Sequence, residues 1–177
     1  MKLHSVLSAL VAVSFAHAAP TDAAFESAFR VSLLKSFEEA SGKILRLAEA
    51  IPEGTYDWRP MEGVSSVREV LVHVAATNYA LAERLGTKPP AGIDRRRMED
   101  SMQTKVDAIS ATRSSIAWMN RALAAVPARE LLPEVNVFGN KLPKVRVALL
   151  PVDHAHEHLG QLIAYARMNR IVPPWSQ

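Results

Sequence analysis

Cysteine is absent from the 177 residues. That excludes a disulfide scaffold, a thiolate metal site, a cysteine nucleophile and a lipid-modified amino-terminal cysteine. Aromatic residues are scarce at 6%, which argues against a β-sandwich core and against a base-stacking surface. The formal charge of +3 does not amount to a nucleic-acid footprint. Beyond the amino terminus no apolar run is long enough to span a bilayer, so neither nucleic acid nor membrane is expected as a partner. Serine-nucleophile motifs, glycine-rich phosphate loops and paired acid/base carboxylates are also missing. What is present is an ordinary globular composition, 49% hydrophobic and 22% charged, in a length that suits one domain.

Met1 to Ala18 reads as a secretory signal. Lys2 is its single charge, an apolar run follows from Val6 to Phe15, and Ala16-His17-Ala18 supplies small residues at the two cleavage-pocket positions. The expected domain therefore spans residues 19–177, secreted or periplasmic once residues 1–18 are removed.

The remainder punctuates into four long helices, which predicts an all-α, antiparallel four-helix bundle. The first runs from about Thr21 to Ala50, with Phe25, Phe29, Leu33, Phe37, Ala40, Ile44 and Leu47 as one apolar stripe, and ends at Pro52 and Gly54. Ser66 and Glu69 stand in capping-box relation at the start of the second, which continues to about Leu85 with Val67, Val70, Leu71, Val74, Asn78 and Leu81 inward. The third spans about Asp94 to Ala125 with Ile109, Ile116, Met119 and Leu123 in its core stripe. Three arginines at 95–97 oppose the dipole of a helix start, so its true beginning lies nearer Met98 or Glu99. Alternation around Gly139-Asn140 predicts a short β-hairpin or ordered loop between the third and fourth helices. The fourth runs from about Lys144 to Asn169, and Pro151 inside it should kink or restart it. Trp58 and Trp175 read as lids over the bundle ends.

Chemistry concentrates on the fourth helix. His154 and His158 lie one turn and about 40° apart, on a face shared with Val147, Leu150, Gln161, Tyr165 and Met168. The stripe is apolar at both ends and polar in the middle. A buried imidazole needs a partner, because leaving it unsatisfied costs on the order of 1–3 kcal/mol. Two imidazoles at this spacing can aim a ring nitrogen at one point, as metal-binding helices do, or can be ordinary satisfied histidines. His156 projects roughly 160–200° away and faces solvent. Glu157 could be a fourth ligand, an acceptor for an imidazole N–H, or a proton shuttle. His73 sits about 100–120° from the centre of its helix's apolar stripe. By periodicity it is a boundary histidine, and spacing does not show that it converges with the other two.

Trp58-Arg59-Pro60, the run Ser65 to Ala75, the run Asp153 to Leu162 and Ile171-Val172-Pro173-Pro174 together resemble the DinB-like family over nearly all of the mature chain. Glu157-His158-Leu159-Gly160-Gln161-Leu162 and Val172-Pro173-Pro174 are the most specific portions. The resemblance implies a four-helix bundle in which a histidine of the second helix and the H-x-x-x-H pair of the fourth bind one divalent metal. By matching position these are His73, His154 and His158. Two departures stand out: Leu159 replaces a tyrosine common among relatives, and Arg170 replaces a glycine, so Asn169 is expected to take the left-handed position.

Characterised branches of the superfamily are metal-dependent transferases that use low-molecular-weight thiols of the cytoplasm, which an exported member would not readily meet. The functional expectation is therefore a metal-dependent hydrolase or transferase acting on a small molecule, with zinc as the default ion; nickel, iron and copper also suit imidazole. The alternatives are a non-catalytic metal-binding bundle and a metal-free interaction module. The resemblance also implies homodimerisation through helix faces.

Overall fold

Local chemistry sets several of the helix ends. The computed structural model describes residues 22–137 and 139–176; the expected leader at residues 1–18, and Phe138 of the expected hairpin, lie outside them. Helix α1 covers Asp22–Ala50, α2 Val67–Arg84, α3 Met98–Ser101, α4 Lys105–Ala125 and α5 Lys144–Met168. Strands β1 (Glu134–Val137) and β2 (Asn140–Pro143) form the hairpin. It is antiparallel, with Val137 opposite Asn140, and the two-residue turn uses Gly139 at φ +88°, a conformation that costs glycine least.

At the start of α2 the Ser66 hydroxyl accepts from the Glu69 amide while the Glu69 carboxylate accepts from the Ser66 amide. The expected capping box is thus present. A second one, Thr104 with Asp107, opens α4 and explains a correction. The start expected near Met98 is found, but the helix expected to run on from there to Ala125 is divided: Met102 leaves helical geometry at φ −103°, ψ 77°, and the Gln103 side-chain amide donates to the carbonyls of Glu99 and Asp100. Side chains that satisfy the backbone locally compete with continuing the helix. Ala108 rather than Ile109 is the fully buried residue in the first turns of α4.

Two further expectations need correction. Phe25 is 69% exposed, and among the described residues its ring stacks along its own helix on Phe29. The Arg30 guanidinium donates to the carbonyls of Leu123 and Ala124, so α4 ends level with residue 30 and gives Phe25 no neighbour. Of the kink or restart expected at Pro151, the restart does not occur: α5 runs through it as one helix. Pro151 is buried, and the ring removes one donor without ending the helix.

Around the bundle the neighbouring pairs are α1–α4, α4–α2, α2–α5 and α5–α1. Directions follow from the cross-links. Arg30 meets Leu123, and the Lys105 ammonium meets the carbonyls of Glu49 and Ile51, so α1 and α4 are antiparallel. Ser65, just before α2, meets Tyr165, and His73 meets His154, so α2 and α5 are antiparallel. Thr112 meets Leu71 and Ser115 meets Asn78, so α2 and α4 run the same way, and by elimination so do α1 and α5. The segment from Leu85 to Thr104 carries the chain back along the bundle to make this possible; α2 alone is about 27 Å long.

The core contains Phe37, Ile44, Leu47, Leu71, Met119, Leu123 and Leu162, each at most 1% exposed. Asn78, inward as its spacing predicts, donates to the Ser115 hydroxyl and so avoids the penalty of an unpaired buried amide. Among the described residues no helix is long and apolar enough to cross a membrane.

Beyond α5, the Ile171 amide donates to the Ala166 carbonyl and the Arg170 amide to that of Arg167, the paired bonds of a Schellman ending. Arg170 itself takes the left-handed conformation at φ +59°, and Asn169 remains at φ −95°. The expectation for Asn169 is therefore corrected. Its side chain instead donates to the Tyr165 carbonyl, one residue too early to occupy the turn position. A side chain in this conformation costs roughly 1–2 kcal/mol, against about 0.5–1 kcal/mol of extra chain entropy for glycine. Arg170→Gly is therefore expected to stabilise the protein by up to about 1 kcal/mol, read as a higher urea midpoint.

Glu69 supplies a pH dependence. The Ser66 amide, with the Arg59 guanidinium adding to it, holds its carboxyl below the usual value of 4.5. The unfolded chain then binds the proton more readily, so the contribution is complete above pH 4.5 and declines as the carboxylate protonates in the folded state. Between pH 5 and 3 the urea midpoint of Glu69→Gln should fall less steeply than that of the parent.

Candidate metal centre

Helices α2 and α5 cross at three imidazoles. The His154 Nε2 lies 3.1 Å from the Nε2 of His73 and 3.0 Å from the Nε2 of His158. One ligating nitrogen from each ring falls within 4.8 Å of the others. His73 is thus drawn into the cluster that its position on the helical wheel left open. The ring planes are splayed, at 52° between His73 and His154 and 75° between His154 and His158, so the three nitrogens approach one point rather than stack.

The placement differs from the expected apolar interior. The buried face of α5 is centred on Ala155, Leu159 and Leu162, and Met168 is 62% exposed. His154 and His158 border that face half-buried, and His73 is exposed on the flank of α2. The four-residue rhythm was correct but its centre was displaced, because Ala155 carries too little apolar surface to mark the core by itself. His156 is exposed, as expected, with its Nδ1 2.9 Å from the Val152 carbonyl.

Electrostatics favour neutral rings. Burial, then the charge that His158 and His73 would carry, pushes His154 down to about 3. Burial and His158 also push His73 down, while the carboxylates of Glu157 and Glu99 oppose the shift. Glu157 is exposed and within electrostatic reach of His73. Glu99, from α3, is a second such carboxylate that sequence reasoning missed, since α3 reaches α2 only through tertiary packing.

Behind the rings lies a hydrogen-bonded chain. The His158 Nδ1 is 2.8 Å from Gln161 Oε1, Gln161 Nε2 donates to the Tyr165 hydroxyl at 2.8 Å, and that hydroxyl donates to the Ser65 carbonyl at 3.0 Å. Trp58 packs edge-on against the Tyr165 ring with centroids 5.4 Å apart. Spacing placed Gln161 and Tyr165 on this face; Ser65 carried no signal of its own. At Trp175 the cationic groups of Lys43 and Arg46 each lie 5.8 Å from the ring centroid.

The donor set fits a divalent cation. Zinc–imidazole bonds of about 2.0–2.1 Å in a tetrahedral arrangement require nitrogens roughly 3.3 Å apart, close to the two separations found. Without a cation, the His154 Nε2, with one proton or one lone pair to offer, would face two nitrogens at once. The donor set does not select among zinc, nickel, iron and copper, all of which accept imidazole.

Comparison with known proteins bears on the family and the fold. The family model of the DinB superfamily matches residues 36–162. The crystal structure of a DinB-like protein from Bacillus subtilis is similar at a TM-score of 0.65 and 20% identity, covering 82% of this chain and 97% of that one. A DinB-like protein from Bacillus cereus is similar at 0.66 and 13%, covering 81% and 95%. No curated protein matches the chain. At these identities the structural likeness establishes the fold.

Proposed function

The chain belongs to the DinB superfamily, and from that premise we propose that His73, His154 and His158 hold one divalent ion, zinc by default, for hydrolysis or group transfer on a small molecule. The observation that carries the reading is the approach of three Nε2 atoms from two helices to one point, His154 within 3.1 Å of both others. The exposed flank at His73 leaves the site open to a small molecule, which supports turnover over a sealed structural ion. When bound, such an ion would supply Lewis acidity and lower the pKa of water toward ~7.

The chain's own residues do the rest. The apolar face behind the histidines shields them from one side. In this reading Glu157, exposed and within electrostatic reach of His73, accepts a proton from an attacking hydroxyl or water at its carboxylate oxygen. The leader read from residues 1–18 adds an exported location to the proposal, checked by whether the mature protein's mass begins at Ala19.

Titration of zinc into chelator-stripped protein tests the metal reading. One ion per chain is expected, and binding no stronger than that of His73→Ala overturns it.

A further inference from the structure

We propose that Gln161 and Tyr165 are positioning residues that dictate which ring nitrogen of His158 faces the shared point. The argument runs from the far end of the chain of bonds. A backbone carbonyl can only accept, so the Ser65 oxygen requires the Tyr165 hydroxyl to donate to it at 3.0 Å. The phenolic oxygen is then left to accept, and the Gln161 amide turns its NH2 toward it at 2.8 Å. That orientation presents the amide oxygen, again only an acceptor, to the His158 Nδ1 at 2.8 Å. Nδ1 must therefore carry the ring proton, and the neutral ring offers its lone pair at Nε2, 3.0 Å from the Nε2 of His154.

Reversing the amide would give His158 the opposite tautomer and turn an N–H toward the cluster. The Ser65 carbonyl forbids the reversal, because its polarity is covalently fixed. Two features hold the relay in place. Tyr165 is 5% exposed with Trp58 against its ring, and Gln161 is joined to both His158 and Tyr165 on one helix face at steps of three and four residues. The capped start of α2 thus determines how a side chain of α5 is protonated.

The consequence for metal affinity rests on the three-histidine reading above; the tautomer itself does not. Two-bond nitrogen–proton NMR correlations of the histidine rings in metal-free, 15N-labelled protein read it directly. In the parent, His158 is expected as the Nδ1–H form. Gln161→Glu keeps an acceptor oxygen and should keep that form, while Gln161→Leu removes it and should yield mixed tautomers. In parallel, zinc affinity should fall ten- to a hundredfold in Gln161→Leu, the usual effect of losing an outer partner of a ligating histidine. An Nε2–H form in the parent, or the same tautomer in the parent and Gln161→Leu, overturns the proposal. If the parent fails to bind zinc, the metal reading falls and the NMR result still decides this one.

Discussion

His154→Ala is expected to lower zinc affinity by at least about a hundredfold. Removing only an outer hydrogen bond to a ligating histidine typically costs ten- to a hundredfold, and this substitution removes a donor atom. Of the three rings, His154 is the most consequential: its Nε2 alone is within 3.1 Å of both others, and with a pKa pushed down to about 3 it stays neutral across the physiological range. The control is His156→Ala, two residues away on an exposed face, which should bind zinc as the parent does. Competition against a chromogenic chelator measures both. Equal affinity of His154→Ala and the parent would remove the metal from the account.

A large effect on stability is expected at Leu162, fully buried on the same helix. Leu162→Ala discards buried methyl groups and leaves a cavity that its neighbours fill only in part, a loss of about 2–5 kcal/mol. Against a total of roughly 5–15 kcal/mol for a domain, the change should appear as a clear drop in the urea midpoint. Zinc stoichiometry should be unchanged where the variant is folded, since the histidines border the buried face without filling it. A midpoint within experimental error of the parent would contradict the packing described.

Local features were legible in the sequence wherever the cause is local. The Ser66–Glu69 box, the hairpin around Gly139 and the outward face of His156 depend on residues a few positions apart. So does the relay's four-residue step from Gln161 to Tyr165. The break at Met102 was missed because Gln103 and Thr104 satisfy backbone groups that a periodicity count does not see. Helical periodicity gives angles within one rod but not the rod's setting against its neighbours. For that reason His73 remained a boundary residue, the buried face of α5 was centred on the wrong residues, and the crossing with α2 stayed open until the fold was known. Matching motifs to the DinB-like pattern supplied what spacing could not, yet even that put Asn169 where Arg170 stands. There the Schellman bonds dictate the position, and an ordinary side chain tolerates it at a cost.

The order of neighbours around the bundle bears on how the chain acquires its structure during synthesis. The first two long rods to leave the ribosome do not flank one another, and both wait for α4, which borders each of them. A nascent polypeptide ending before residue 105 therefore lacks the rod that joins α1 to α2, and α2 has only the short α3 to pack on. Closure of the bundle therefore needs α4 and α5, with most of the polypeptide already made.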